Sequence, residues 1–372
     1  TANVTGLDQQ GGQLFSNTAL TLDVNRGQLN NQNGLISAPL LMLKNLTDIN
    51  NDGGEISSVQ AFNVTARSLN NSNGKLLSNQ ALTLRVDQAL ANLKGLIAAA
   101  TLDVKAGSLD NSGGTLTSRA NLDVNLDGLL NNQNKGLINA TNGLTINSRG
   151  INNQSGSLLG SAIAIDFGAA TADLDNSGGL ITTAGVLSIQ HLRDLSNRNG
   201  EISSTQSLDL STRALDNTGG KLISSNVLTV NADAVENLGG LLSGWQGLSL
   251  TSNHLDNRNK GTLSSRDGDV SVAVSGAVLN SGEGAIVSRK NLSLNAVDLD
   301  NSNGGVISSG GAQTLTLSGL LTNAQGGLID SDAALVIQAM MLGNAGGTVN
   351  AQQGRSFTGT ALDNTGGNLV GN

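Results

Sequence analysis

An asparagine recurs through this chain at intervals of 19 to 23 residues, and that spacing limits the possible folds more than any other feature. Taking the last residue of a Leu-Asp-Asn-like triplet as an anchor, the copies fall at Gln9, Asn31, Asn51, Asn71, Asn92, Asn111, Asn132, Asn153, Asn176, Asn197, Asn217, Asn237, Asn257, Asn280, Asn301, Asn323, Asn344 and Asn364. Seventeen of the 18 anchors are Asn, and their mean spacing is about 21 residues. A period of that length is the mark of a solenoid, in which each copy contributes one structural unit that buries its apolar face against the next.

Each copy carries the same internal pattern. A Gly follows the anchor by three residues in 15 copies and by four in the other three, at Gly136, Gly261 and Gly284. Two residues beyond that Gly stands an aliphatic side chain in every copy, from Leu14 and Ile36 through Leu222 to Val306, Leu328 and Leu369. Further along come apolar pairs spaced by two, such as Phe62 and Val64, Leu82 and Leu84, Leu208 and Leu210, and Leu228 and Val230. A spacing of two belongs to strands and not to helices.

Each copy is therefore expected to hold three short strands: one after the Gly, one around the paired aliphatics, and one leading into the anchor. Short strands with no room for a crossover helix, repeated at this period, predict an all-β fold, a right-handed parallel β-helix of about 18 coils with a repeat of roughly 21 residues. Alternation places the Leu of Leu-Asp-Asn inward, the Asp outward and the anchor Asn inward at a corner, where stacked amides would hydrogen-bond from coil to coil. The Gly serves a corner that needs positive φ or an approach too close for a Cβ. The two longest intervals, Asn153 to Asn176 and Asn257 to Asn280, should bulge near Ala169 to Asp173 and near Asp267 to Gly276.

Composition agrees with thin uniform layers. Glycine numbers 49, while the aromatic residues are four Phe and one Trp. Charged residues are 13% and the net charge is −8, which leaves no basic face for a nucleic-acid backbone. With no Cys there is no disulfide framework, thiolate metal site or cysteine nucleophile. No apolar run approaches the roughly 18 residues of a membrane helix. With no visible leader or boundary, residues 1–372 read as one array excised from a longer protein.

Any site chemistry belongs to the outward positions. Asp216, Glu236 and Asp256 precede the anchor in three successive coils, so they would stack as a column able to hold Ca²⁺ or begin an acid–base pair. The same position carries Asp110, Asp175, Asp300 and Asp363, which favours a solvated turn residue. His191 and His254 fall at different phases and read as surface residues. No phosphate loop follows the Gly-Gly pairs, and no calcium-binding nonapeptide is present. We expect no enzyme activity, cofactor or metal. Trp245, in Ser243-Gly244-Trp245-Gln246-Gly247, stands where neighbouring copies are small or polar, and Arg266 and Arg289 share one phase beside Lys290. These four are the candidate partner contacts, for a receptor or a glycan.

The run Leu-Asp-Asn-x-Gly-Gly-x-Leu-x-Ser-x-x-x-Leu-x-Leu resembles the haemagglutinin repeats of filamentous-haemagglutinin-type exoproteins of Gram-negative bacteria, which include adhesins and contact-dependent growth-inhibition effectors. The resemblance covers essentially the whole chain. It implies a secreted, surface-displayed shaft, a monomeric rod exported by an outer-membrane two-partner-secretion transporter that extends a distal adhesive or toxic part from the cell. The alternative is a segment whose own side faces bind a receptor. No segment resembling a secretion domain or a toxin domain is found, and Arg266-Asp267-Gly268 has the wrong order for an Arg-Gly-Asp adhesion triplet.

Overall fold

The computed structural model describes residues 1–371, and every regular element among them is a β-strand. Chain contacts divide it into two compact units, Thr1–Leu192 and the residues from Arg193 onward, each built from nine anchors and the same repeating turn. In unit 2, the turn after Asn217 opens with the strand Lys221–Ser224, rounds a corner at Ser225 and Asn226, and continues as Val227–Glu236 to the next anchor. Each strand pairs in parallel with its equivalent one turn on: Leu222 with Leu242, Val230 with Leu250, Val235 with Leu255. Unit 1 repeats the arrangement, with Leu76 paired to Ile56 on one side and Ile97 on the other. The outcome is a parallel β-solenoid of about 18 turns, as the periodicity requires.

Alternation decides what lies inside. Leu222, Leu228, Val230 and Val235 are all at 0% exposure, while their chain neighbours face outward. Burying a side chain of this size contributes roughly 1.5–3 kcal/mol, so each turn carries its own small core. Among the described residues two rings are buried in it, Phe62 and Phe167.

Three details refine the expected coil. First, the second and third strands are often one: in Ala19–Asn30, Leu40–Asn50, Ala81–Ala91, Thr101–Asp110, Leu208–Asp216, Val227–Glu236 and Gly247–Asp256 they run on through a bend. Second, two copies sit one residue out of the expected phase. The buried aliphatics after Asn301 and Asn323 are Ile307 and Ile329, both at 0% exposure, and Val306 and Leu328 lie half-exposed beside them. The cause is the corner: most copies use one left-handed residue two places after the anchor, such as Asn33 or Gly53, but these use two in succession, Asn303–Gly304 and Gln325–Gly326. Asn134–Lys135, Asn259–Lys260 and Gly282–Glu283 do the same. A Gly-Gly pair fits either reading, which is why sequence phase alone misplaces these two copies.

Third, the long intervals differ from each other. Between Asn153 and Asn176 the surplus forms one bulge after Asp166, at Phe167 to Thr171, two residues ahead of the expected Ala169 to Asp173 because Ala172 and Asp173 already belong to the next strand. Between Asn257 and Asn280 the surplus is spread instead, one residue to each corner: before Gly261, before Asp269, and between Val274 and Val278.

Candidate functional site

The anchor corner repeats most faithfully. Asn217 is fully buried, and its Nδ2 donates to Asn237 Oδ1 at 2.7 Å while also reaching the carbonyls of Gly220 and Leu241, both at 3.2 Å. Its own Oδ1 accepts from Asn197 Nδ2 at 2.8 Å. In unit 1 the same ladder runs from Asn31 through Asn51, Asn71, Asn92, Asn111, Asn132 and Asn153 to Asn176, and Gln9 begins it through Nε2 at 3.0 Å from Asn31 Oδ1. Each of these steps donates toward the following turn. A buried amide is tolerable only when its hydrogen-bonding groups are satisfied, and the ladder satisfies each one with its own copy.

The two roles open to the corner glycines separate cleanly. In Gly239–Gly240, Gly239 holds the left-handed conformation, at φ +62°. Gly240 supplies clearance: a Cβ there would lie 2.1 Å from the Asn217 carbonyl and 2.5 Å from Asn237 Oδ1. The left-handed position accepts Asn33, Asn73, Lys94, Ser155 and Asn199 in other copies, whereas the clearance position is always Gly.

A second column went unrecognised in the sequence, where its serines read as ordinary turn residues. Ser224 is buried, with Oγ 2.9 and 3.0 Å from the carbonyls of Gln206 and Val227, one hydrogen serving both, and it accepts the Asn226 N–H at 3.1 Å. Ser78, Ser118, Ser288 and Ser331 pin the equivalent corner similarly. The available signal was an inward-phase Ser two residues after the buried aliphatic.

The acidic column forms but does not converge. Asp216, Glu236 and Asp256 lie in register on successive turns. Burial alone would push the Asp216 carboxyl up, yet hydrogen bonds from Thr218 and the Arg198 guanidinium hold it below the usual carboxylate range. Burial acts on Asp256 in the same way and is outweighed by Arg258, whose Nε and Nη2 lie 2.9 and 2.7 Å away. Both carboxylates are occupied by an arginine. Among the described residues no group of three His, Cys, Asp or Glu side chains could hold a metal ion. His191 pairs with Asp166 at 2.7 Å beside the Phe167–Thr171 bulge, and His254 lies exposed, in register with Ala234.

The four candidate contacts gather at one corner of unit 2. Asp267 N–H donates to the Trp245 carbonyl at 2.7 Å and Arg289 N–H to the Ser265 carbonyl at 3.1 Å, which stacks Trp245, Arg266 and Arg289 on successive turns. The Arg266 guanidinium carbon stands over the indole, 4.7 Å from the ring centroid, and Trp245 remains 46% exposed.

Repeating corners stacked turn on turn define a β-solenoid repeat protein. Haemagglutinin-repeat matches cover residues 1–126, 120–191, 169–239, 224–282, 267–325, 309–339 and 326–372, and so tile the whole chain. The chain belongs to the haemagglutinin repeat family of filamentous haemagglutinins. No curated protein matches it, and no solved structure does.

Proposed function

We propose that this chain is a non-catalytic shaft segment of a filamentous exoprotein, displayed at the bacterial surface, holding a distal adhesive or toxin-delivering part away from the cell. The observation that carries this reading is the buried Asn ladder, which commits a fully buried side chain in every turn but the first and last to holding its neighbours in place. Stability then accrues turn by turn, and a chain leaving an export pore can fold as each turn arrives. The absence of Cys suits folding outside the cell without a redox step. On this reading the chain is exported through an outer-membrane two-partner-secretion transporter. No helix is long and apolar enough to cross a membrane among the described residues.

A second reading, direct adhesion through a side face, is favoured by the half-exposed Trp245 and the arginines beside it. Removing sets of whole turns from the full-length protein separates the two. A shaft keeps its distal activity whichever turns are removed and loses only reach. A side-face adhesin loses binding when the turns carrying Trp245, Arg266 and Arg289 are removed, and keeps it otherwise.

A further inference from the structure

Most arginine side chains in this protein are engaged. Arg67, Arg85, Arg198, Arg213 and Arg258 each hold a carboxylate, and Arg119 and Arg149 each donate to a backbone carbonyl. Arg266 and Arg289 break this habit on adjacent turns. Among the described residues neither guanidinium donates a hydrogen bond or meets a carboxylate within 4.0 Å, and the Lys290 ammonium is equally unengaged, although Asp267 and Asp269 lie in the same corner. Asp269 instead accepts the Asn291 N–H at 2.9 Å. Three exposed cations are thus left with their donors facing solvent, in a chain whose net charge is −8.

Backbone recognition is closed at this corner. The N–H groups of Trp245, Gln246, Asp267, Arg289 and Lys290 all donate to carbonyls of the preceding turn. An extended peptide therefore finds no strand edge to join, and recognition must run through side chains. What they offer is a half-exposed indole with guanidinium side chains rising from turns one strand spacing, about 4.8 Å, apart. That spacing suits one residue of a saccharide chain, the indole suits the apolar face of a sugar ring, and the planar guanidinium fork suits a carboxylate. With Asp267 and Asp269 close by, the corner's net charge is too small to hold a densely charged polyanion such as nucleic acid.

We propose that the Trp245–Arg266–Arg289–Lys290 corner binds a carboxylated glycan, one built from uronic-acid or similar acidic sugars. This rests on the side-face adhesive reading and names its ligand class. The test is calorimetric titration of the full chain with an oligouronate, its methyl-esterified form and a sulfated oligosaccharide. The oligouronate should bind and the ester should not. Trp245→Ala and the double change Arg266→Ala with Arg289→Ala should each weaken binding about tenfold or more with melting unchanged, and Arg266→Lys should lose less than Arg266→Ala. Equal binding of the ester, binding of the sulfated sugar alone, or variants that bind like the parent would each overturn the assignment. A chain that attaches to cells through this corner yet ignores oligouronate would overturn the ligand class and leave the adhesive reading standing.

Discussion

The side-chain nitrogen of Asn217 donates to the side-chain oxygen of Asn237 across one full turn, at 2.7 Å and with both residues fully buried. Replacing Asn237 with Ala takes one acceptor from the Asn217 amide and the amide donor from Asn257 Oδ1 and from the Gly240 and Thr262 carbonyls. Each orphaned group costs about 1–3 kcal/mol, so Asn237→Ala should destabilise unit 2 by roughly 2–5 kcal/mol. Denaturant titration measures this, and hydrogen exchange should show the loss concentrated in the turns around Asn237.

Neighbouring glycines should respond very differently to one methyl group. Gly239→Ala places an alanine in a left-handed conformation with its nearest neighbour 3.4 Å away, at a cost of about 1–2 kcal/mol. Gly239→Asn should cost less, since Asn33, Asn73 and Asn199 occupy the equivalent place. Gly240→Ala drives a Cβ to 2.1 Å from a backbone carbonyl that cannot retreat without parting two turns, and should cost about 4 kcal/mol or more. Melting the three variants side by side checks the order.

One core position is improvable. Gln313 is fully buried in the column that carries Leu292 and Leu335, and among the described residues its Nε2 has no hydrogen-bond partner. Its Oε1 takes only a 3.3 Å contact from Ser309, whose hydroxyl already meets the Gly311 carbonyl at 2.8 Å. Gln313→Leu removes the orphaned group and restores the column, and should stabilise by about 1–3 kcal/mol in the same denaturant assay.

These contrasts show what the sequence makes legible. The Asn ladder and the aliphatic columns can be read directly because every turn repeats the same residue type in phase. The copies at Asn301 and Asn323 cannot, because a Gly-Gly pair leaves open which Gly provides clearance, and only the extra left-handed residue decides it. The Ser224 column hides because serine is equally at home in an exposed turn. Phase was enough to bring Arg266 and Arg289 to one corner, and the pairing of Gly244 with Ser265 adds Trp245 to it. Phase could not foresee that Arg198 and Arg258 would occupy the acidic column, since that depends on how long side chains reach around a corner.

Acid should loosen the array through those carboxylates. Asp48, Asp166, Asp194, Asp216 and Asp256 all sit below their ordinary value of 3.8 in the folded chain. A group whose folded pKa is depressed contributes stability that is fully present above its unfolded pKa and is lost as pH falls through the folded one. Stability should therefore be level with pH above about 5 and decline below about 4. Asp256→Asn should flatten the decline in unit 2, as read by urea midpoints across that range.

The central claim is that the turns are equivalent units held by the corner ladder, and deletion tests it most directly. Removing residues 217–236 takes out one complete turn and brings Asn197 against Asn237 in the same register. The shortened chain should fold, retain its strand circular dichroism and melt within a few degrees of the parent. Removing only residues 217–226 puts every later strand of unit 2 out of phase and should abolish cooperative melting there. A whole-turn deletion as damaging as the half-turn deletion, or a half-turn deletion that folds equally well, would contradict the account.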